Sequence, residues 1–226
     1  MQKTQVSVPY LYISILFVAV LMISNTVASK IVQIGPFTVT GAVFLFPLSY
    51  IFGDVLTEVY GYRGSRRVIW TGFAAIILMA LAYWIAGALP AASFWQGQDA
   101  FMSVLGATPR IVLASITGYF IGEFANSYVL SRMKVWMSGS HLWMRTIGST
   151  VVGEGLDTVF FVLIAFWGVL PAPALVPIIL SGYILKVAYE VVATPLTYWV
   201  VGKLKKFEGI DTYDREINYN PFVLSE

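Results

Sequence analysis

Charge-free apolar runs dominate the chain, from Tyr10 to Ser29, Ile31 to Gly53, Val68 to Gln98 and Thr158 to Leu185. Each reaches the ~20 residues that cross a bilayer as a helix. With the polar punctuation between them, the runs predict six spans at about 10–29, 36–53, 68–89, 111–131, 146–168 and 175–202, with a tail over 203–226. The expected fold is all-α: a single-domain membrane protein over residues 1–226, built as a six-transmembrane-helix bundle. The second span is the weakest. It is interrupted by Gly35, Pro36, Gly41 and Pro47, so a broken or tilted helix is expected there. Pro90 ends the third span, and PAPALVP (171–177) reads as a tight turn between the last two.

Composition removes the soluble alternatives. The chain is 58% hydrophobic and 12% charged, whereas a soluble domain carries about 25% charged residues. A net charge of +2 carries no nucleic-acid signal, because the basic residues gather at span ends. Cysteine is absent, so neither a disulfide framework nor a thiolate metal site is expected. The stretch NTVASK lacks a small-residue cleavage pattern, and the first span is read as retained.

Lys3, Arg63, Arg66, Arg67, Arg132, Lys134, Arg145, Lys203, Lys205, Lys206 and Arg215 fall on one side of a six-span weave. Lys30 and Arg110 fall on the other, and Lys186 lies within a span. The excess places both termini in the cytoplasm and turns the loop from Pro90 to Pro109 outward.

Depth along the spans then locates the acids. At ~1.5 Å per residue, Glu123 lies roughly 14 Å from Arg132, Asp157 roughly 18 Å from Arg145, and Glu190 roughly 20 Å from Lys203. All three reach the layer near the midplane, about 15 Å in. Glu154 and Asp157 share a helix face, and Tyr183, Lys186, Glu190, Thr194 and Thr197 form one polar stripe. Ser115, Tyr119, Glu123 and Asn126 form another, and the first span adds Asn25 and Ser29. Polar stripes at this depth must face the bundle interior, because lipid offers no hydrogen-bond partners.

Bland readings stand beside the functional ones. Lys186 and Glu190 could be a self-contained i, i+4 ion pair, and Glu123 a protonated interhelical donor. Gly148, Gly153 and Gly155 read as packing residues. Asp54 and Glu58 could pair with Arg63, Arg66 or Arg67 as surface ions at the cytoplasmic end of the second span. Trp95, Gln96 and Phe101 form either an interfacial belt or a lid that stacks on a planar ligand. Glu154 and Asp157 resist such readings. Two carboxylates one turn apart repel, and Lys186 alone faces four midplane acids. Protons or a donor-rich ligand must offset the rest.

The single His141 sits in a loop, and no His cluster, Ser–His pair or phosphate-binding glycine loop appears. An enzyme is not expected, nor is a metal or cofactor. A midplane polar cavity reads as a small-molecule transporter. The runner-up is a substrate-binding membrane subunit of an ATP-driven vitamin importer.

The stretches DVLTEVYGYRGSRRVIW (54–70), FWQGQDAF (94–101), GEGLDTVFFVLIAFWG (153–168) and LKVAYEVVATPLTYWVVGKLKK (185–206), with NPF (220–222), resemble the vitamin-uptake-type family of queuosine precursor transporters. Thr158 departs from the Ser found in many relatives. The resemblance implies a standalone carrier in the bacterial inner membrane. It would import a 7-deazaguanine base, such as 7-cyano-7-deazaguanine, 7-aminomethyl-7-deazaguanine or queuine, for a modified tRNA nucleoside. The base and the bilayer are then the expected partners, nucleic acid is not, and a homo-oligomer is left open. A guanine-like edge offers N–H donors that a carboxylate accepts, and aromatic rings can stack on the base. The expected substrate contacts are Glu154, Asp157, Lys186, Glu190, Glu123, Asn25, Trp95, Gln96 and Tyr183. Asp54, Glu58, Arg63 and Arg67 form a separate polar cluster at the cytoplasmic end.

Overall fold

A computed structural model describes residues 7–28, 30–35, 37–106, 109–168 and 171–223. The first helix, α1, runs over Val8–Val27; the Ser7 hydroxyl accepts the Tyr10 amide at 3.3 Å, and a proline occupies the first turn. A short antiparallel hairpin follows, β1 Ile31–Ile34 and β2 Phe37–Thr40, in register from Ile31 opposite Thr40 to Ile34 opposite Phe37. A 3-10 turn, Gly41–Phe44, leads into α2, Phe46–Ala88. Then come α3 Gln98–Leu105, α4 Pro109–Trp136, α5 Leu142–Phe166 and α6 Ala172–Glu208.

The weak second span is thus broken, and its first part is not helix at all. Isoleucine, valine and threonine recur on either side of the turn and favour a pleated surface. Gly35 takes φ 57 at that turn, a left-handed conformation that costs glycine little. Helix begins only at Phe46, where Pro47 sits in the first turn and its missing N–H breaks no bond.

Helix α2 is a helical hairpin. At Gly61 the backbone leaves the helical region (φ 77, ψ 171). Thr57 and Ser65 on either side both reach the Ser127 hydroxyl, at 3.1 and 3.0 Å, so their oxygens are at most about 6 Å apart. Along a straight helix, eight residues would separate them by ~12 Å. The chain therefore folds back at Gly61, and α2 has two arms, 46–60 and 62–88. A Cβ on Gly61 would also stand 2.7 Å from Asp214 Oδ1 and 2.7 Å from Thr212 Cγ2, so the tail closes over the turn.

One end of the bundle gathers the start of α1, the Gly61 turn, the α4–α5 turn and the residues after α6. The Tyr10 hydroxyl donates to Gly64 O at 2.9 Å, and Lys134 Nζ donates to Glu58 O at 2.5 Å. Asp214 accepts from the Tyr62 amide at 2.7 Å and from the Ser131 hydroxyl at 2.6 Å. From this basic end the chain crosses the bundle six times, counting each arm of α2 once.

Among the described residues, four helical stretches are long and apolar enough to cross a membrane: α1, 41–88, α5 and, within α6, Leu175–Glu208. Helix α4 spans 28 residues, but Glu123, Arg132 and Lys134 break its apolar pattern. Leu11, Leu78, Trp84, Val192 and Trp199 are exposed on the outer surface, where lipid rather than protein covers them. Inside, Phe17, Leu21, Leu56, Ile69 and Tyr119 form the main apolar cluster between α1, α2 and α4.

Candidate functional site

Helices α4 and α5 meet backbone to backbone. A Cβ on Gly153 would lie 2.7 Å from Asn126 Cβ and 2.9 Å from Gly122 O, so this glycine is a packing residue. One turn along, Asp157 lies over the bare surface of α4. A Cβ on Gly118 would stand 2.8 Å from Asp157 Oδ1; one on Gly122 would stand 2.7 Å from Asp157 Cβ and 2.7 Å from the Tyr50 hydroxyl. Small residues at i and i+4 let the helices approach this closely, and they carry an acid into electrostatic range of Tyr50 of α2.

Lys186 of α6 closes the site from the other side. Its Nζ lies 2.5 Å from Asp157 Oδ2, 2.7 Å from Glu154 Oε2 and 3.4 Å from Thr158 Oγ1. Among the described residues no hydrogen bond reaches Glu190 from Lys186 in a local i, i+4 pair; two mutually repelling carboxylates make the stronger partner for one cation. The resulting triad carries a formal charge of −1. Glu154 and Asp157 are buried, while the Lys186 side chain keeps 21% of its exposure, so the triad is reached from the lysine side. Tyr183 sits one turn from Lys186 with its ring against Gly155, 3.5 Å from where a Cβ would be.

Below the triad lies a second acidic layer. Glu123 of α4 packs against Gly53 of α2 and lies in electrostatic range of Glu154 and Asp157. Asp54 accepts a hydrogen bond from Asn126 Nδ2 at 2.7 Å and faces Glu190, Glu123 and Glu58. Asp54 and Glu123 are 0% exposed, and Glu190 is 1% exposed. Among the described residues, no hydrogen-bond partner meets either carboxylate oxygen of Glu123 or Glu190, nor Asp54 Oδ2.

At the basic end, Glu58 collects the charge. Arg145 Nη1 pairs with its Oε2, Lys205 Nζ lies 2.5 Å from its Oε1, and Lys134 Nζ lies 3.5 Å away. Asp211 of the tail takes Lys134 at 2.5 Å and Lys205 at 2.9 Å. Burial works against the charge on Asp211, but hydrogen bonds from the two lysines outweigh it and hold the carboxyl below its ordinary range. Surface pairing of Asp54 and Glu58 with Arg63, Arg66 or Arg67 is therefore corrected. Both acids are buried, Glu58 is met by cations of α4, α5 and α6, and Arg66 donates to Asn218 O and Asn220 O at 2.9 and 2.8 Å. The fold-back at Gly61 directs this arm inward.

Three expected contacts lie elsewhere. Asn25 donates to Leu21 O of its own helix at 2.9 Å. Trp95 stacks edge-on with Phe101 at 6.4 Å and lines a shallow apolar hollow of about 380 Å³ with Leu89, Pro90 and Gln98. Gln96 is exposed in the same loop. None of the carboxylates lines that hollow.

Sequence reasoning missed Tyr50 and the partners of Glu58. Gly118 and Gly122 form a GxxxG pattern in an apolar span and could have flagged the close approach beside Asp157. Asp211 and Asp214 lie in a polar tail and give no such signal. Among the described residues, no group of three or more His, Cys, Asp or Glu could hold a metal ion.

Helices with exposed apolar flanks around a buried charged cluster are the architecture of a small-molecule membrane transporter. Residues 40–200 match the family described as "Putative vitamin uptake transporter", and the chain belongs to that family. It is similar to the "Probable queuosine precursor transporter" of Bacillus subtilis (strain 168), 31% identical over 77% of each chain. It is likewise similar to the "Queuosine precursor transporter" of Escherichia coli (strain K12), 28% identical over 69% of this chain and 68% of that one. No solved structure matches it.

Proposed function

We infer that the chain imports queuosine precursors, 7-deazaguanine bases, as a standalone carrier rather than an enzyme. Its place is the bacterial cytoplasmic membrane, with both termini and the basic end in the cytoplasm. The observation that carries this reading is the Glu154–Asp157–Lys186 triad, which holds one more acid than base beside Tyr50 and Tyr183 in a family of uptake transporters. The N1–H and exocyclic amine of a guanine-like edge donate to the carboxylates as Lys186 yields part of its hold. Tyr183 or Tyr50 offers a ring to the base plane. A base lacking those donors leaves a buried carboxylate unpaired, a penalty that can reach ~10⁴-fold. The cationic 7-aminomethyl form would in addition neutralise the triad's surplus charge.

The test is uptake into a bacterial strain unable to make the base, read as modified nucleoside in its tRNA. Rescue by this chain alone, with no ATPase module present, is the expected result. Rescue only with such a module would make it a binding subunit, and no rescue by any 7-deazaguanine would overturn the substrate class.

A further inference from the structure

The second acidic layer has no role in base recognition as described, and its burial demands one. Asp54 Oδ2 and both oxygens of Glu190 lack a partner among the described residues, as does Asn126 Oδ1 beside them. Each group is sealed from solvent. The charged groups around Asp54 come from three elements: Glu58 one turn along its own arm, Glu123 on α4, beside the neutral donor Asn126, and Glu190 on α6. Glu190 in turn faces Glu154 on α5. The neighbouring cations are engaged elsewhere. Lys186 is held by Glu154 and Asp157, and Arg145, Lys134 and Lys205 are held by Glu58. An ionised carboxylate without a counter-charge at this burial costs several kcal/mol. A bound proton removes that cost, and it supplies the O–H donor that the orphaned oxygens lack.

We propose that Asp54 and Glu190 form a proton-carrying pair between the base site and the basic end, so that import of the base is linked to inward movement of a proton. This rests on the substrate reading above and adds its driving force. Lys186 supplies the linkage. It stands four residues before Glu190, a spacing at which the two side chains can meet on one helix face. When the base donates to Glu154 and Asp157, the ammonium is released toward Glu190, and its charge drives the proton from Glu190 to Asp54. From Asp54 the proton leaves at the basic end, past Glu58. Departure of the base returns Lys186 to the α5 acids, and Glu190 takes up the next proton from the outer side. Tyr50, Asp54 and Glu58, at i, i+4 and i+8, put the base site, the carrier and the exit on one face of one helical arm.

The test uses the purified full chain in liposomes with a labelled 7-deazaguanine base. Exchange across the membrane without a gradient needs only the base site; accumulation under an acid-outside gradient needs the proton pair. At one pH unit, the gradient can hold the base about tenfold above its outer level, because equal ratios store equal free energy. The parent protein is expected to do both. Asp54→Asn is expected to keep exchange and lose accumulation. A pH dye trapped inside should report acidification when base is added to the parent, and this reading decides the matter alone if Asp54→Asn does not assemble. Exchange by the parent with no response to the gradient or the dye overturns the proton pair alone, as does full accumulation by Asp54→Asn. No exchange by the parent overturns the substrate reading, and the proton linkage falls with it.

Discussion

Lys186 holds two carboxylates that would otherwise repel across one helical turn, and its removal is the most informative single change. Lys186→Met strands Glu154 and Asp157 as buried acids, and breaking a buried pair in this way costs about 3–5 kcal/mol. The melting temperature in detergent should fall, and acidification should recover part of the loss as protons replace the ammonium. An unchanged melt would remove the triad from the structure's energetics. The three members were legible in the sequence, because helical spacing set their faces and the basic residues set their depth. The partner of Lys186 was not. Spacing within one helix reports i, i+4 neighbours, whereas the reach from α6 to α5 depends on the glycine contact that draws α5 against α4.

At the scale of elements, the Gly61 fold-back and the tail form one unit. Gly61→Ala would place a methyl 2.7 Å from Asp214 Oδ1 in a backbone conformation strained for any L side chain. Strain of that kind costs of order 1–3 kcal/mol, and relief should come by undocking residues 209–223. Limited proteolysis should therefore cut the Gly61→Ala tail readily while the parent tail survives. Acid should act on the same contact. The Asp211 carboxyl is held below its ordinary range, so its docking contribution is complete above that range, near pH ~4, and is lost as pH falls further. Protease access to the parent tail should rise in that acid window and not between pH 6 and 8; equal access across both ranges would detach Asp211 from docking. The helices were legible as apolar runs, and the break in the second span was legible from Gly35, Pro36, Gly41 and Pro47. Its replacement by a hairpin was not, since a short apolar β-branched run fits strand and span alike. The docking of the tail was equally hidden, because its acids find their partners only after Gly61 has folded the chain back.

For the whole molecule, the start of α1 and the tail lie at one basic end, which fits an even number of crossings. Reporter fusions after Pro171 should read as outside the cytoplasm and fusions after Lys206 as cytoplasmic; the reverse pattern would invert the direction of import. The most direct test of the account is competition for base binding by the purified parent protein and by Asp157→Asn. Guanine-edged 7-deazaguanines should displace a labelled base from the parent, adenine should do so poorly, and Asp157→Asn, folded and equally stable, should bind none of them. Parental affinity in Asp157→Asn, or adenine competing as well as the guanine-edged bases, would contradict it.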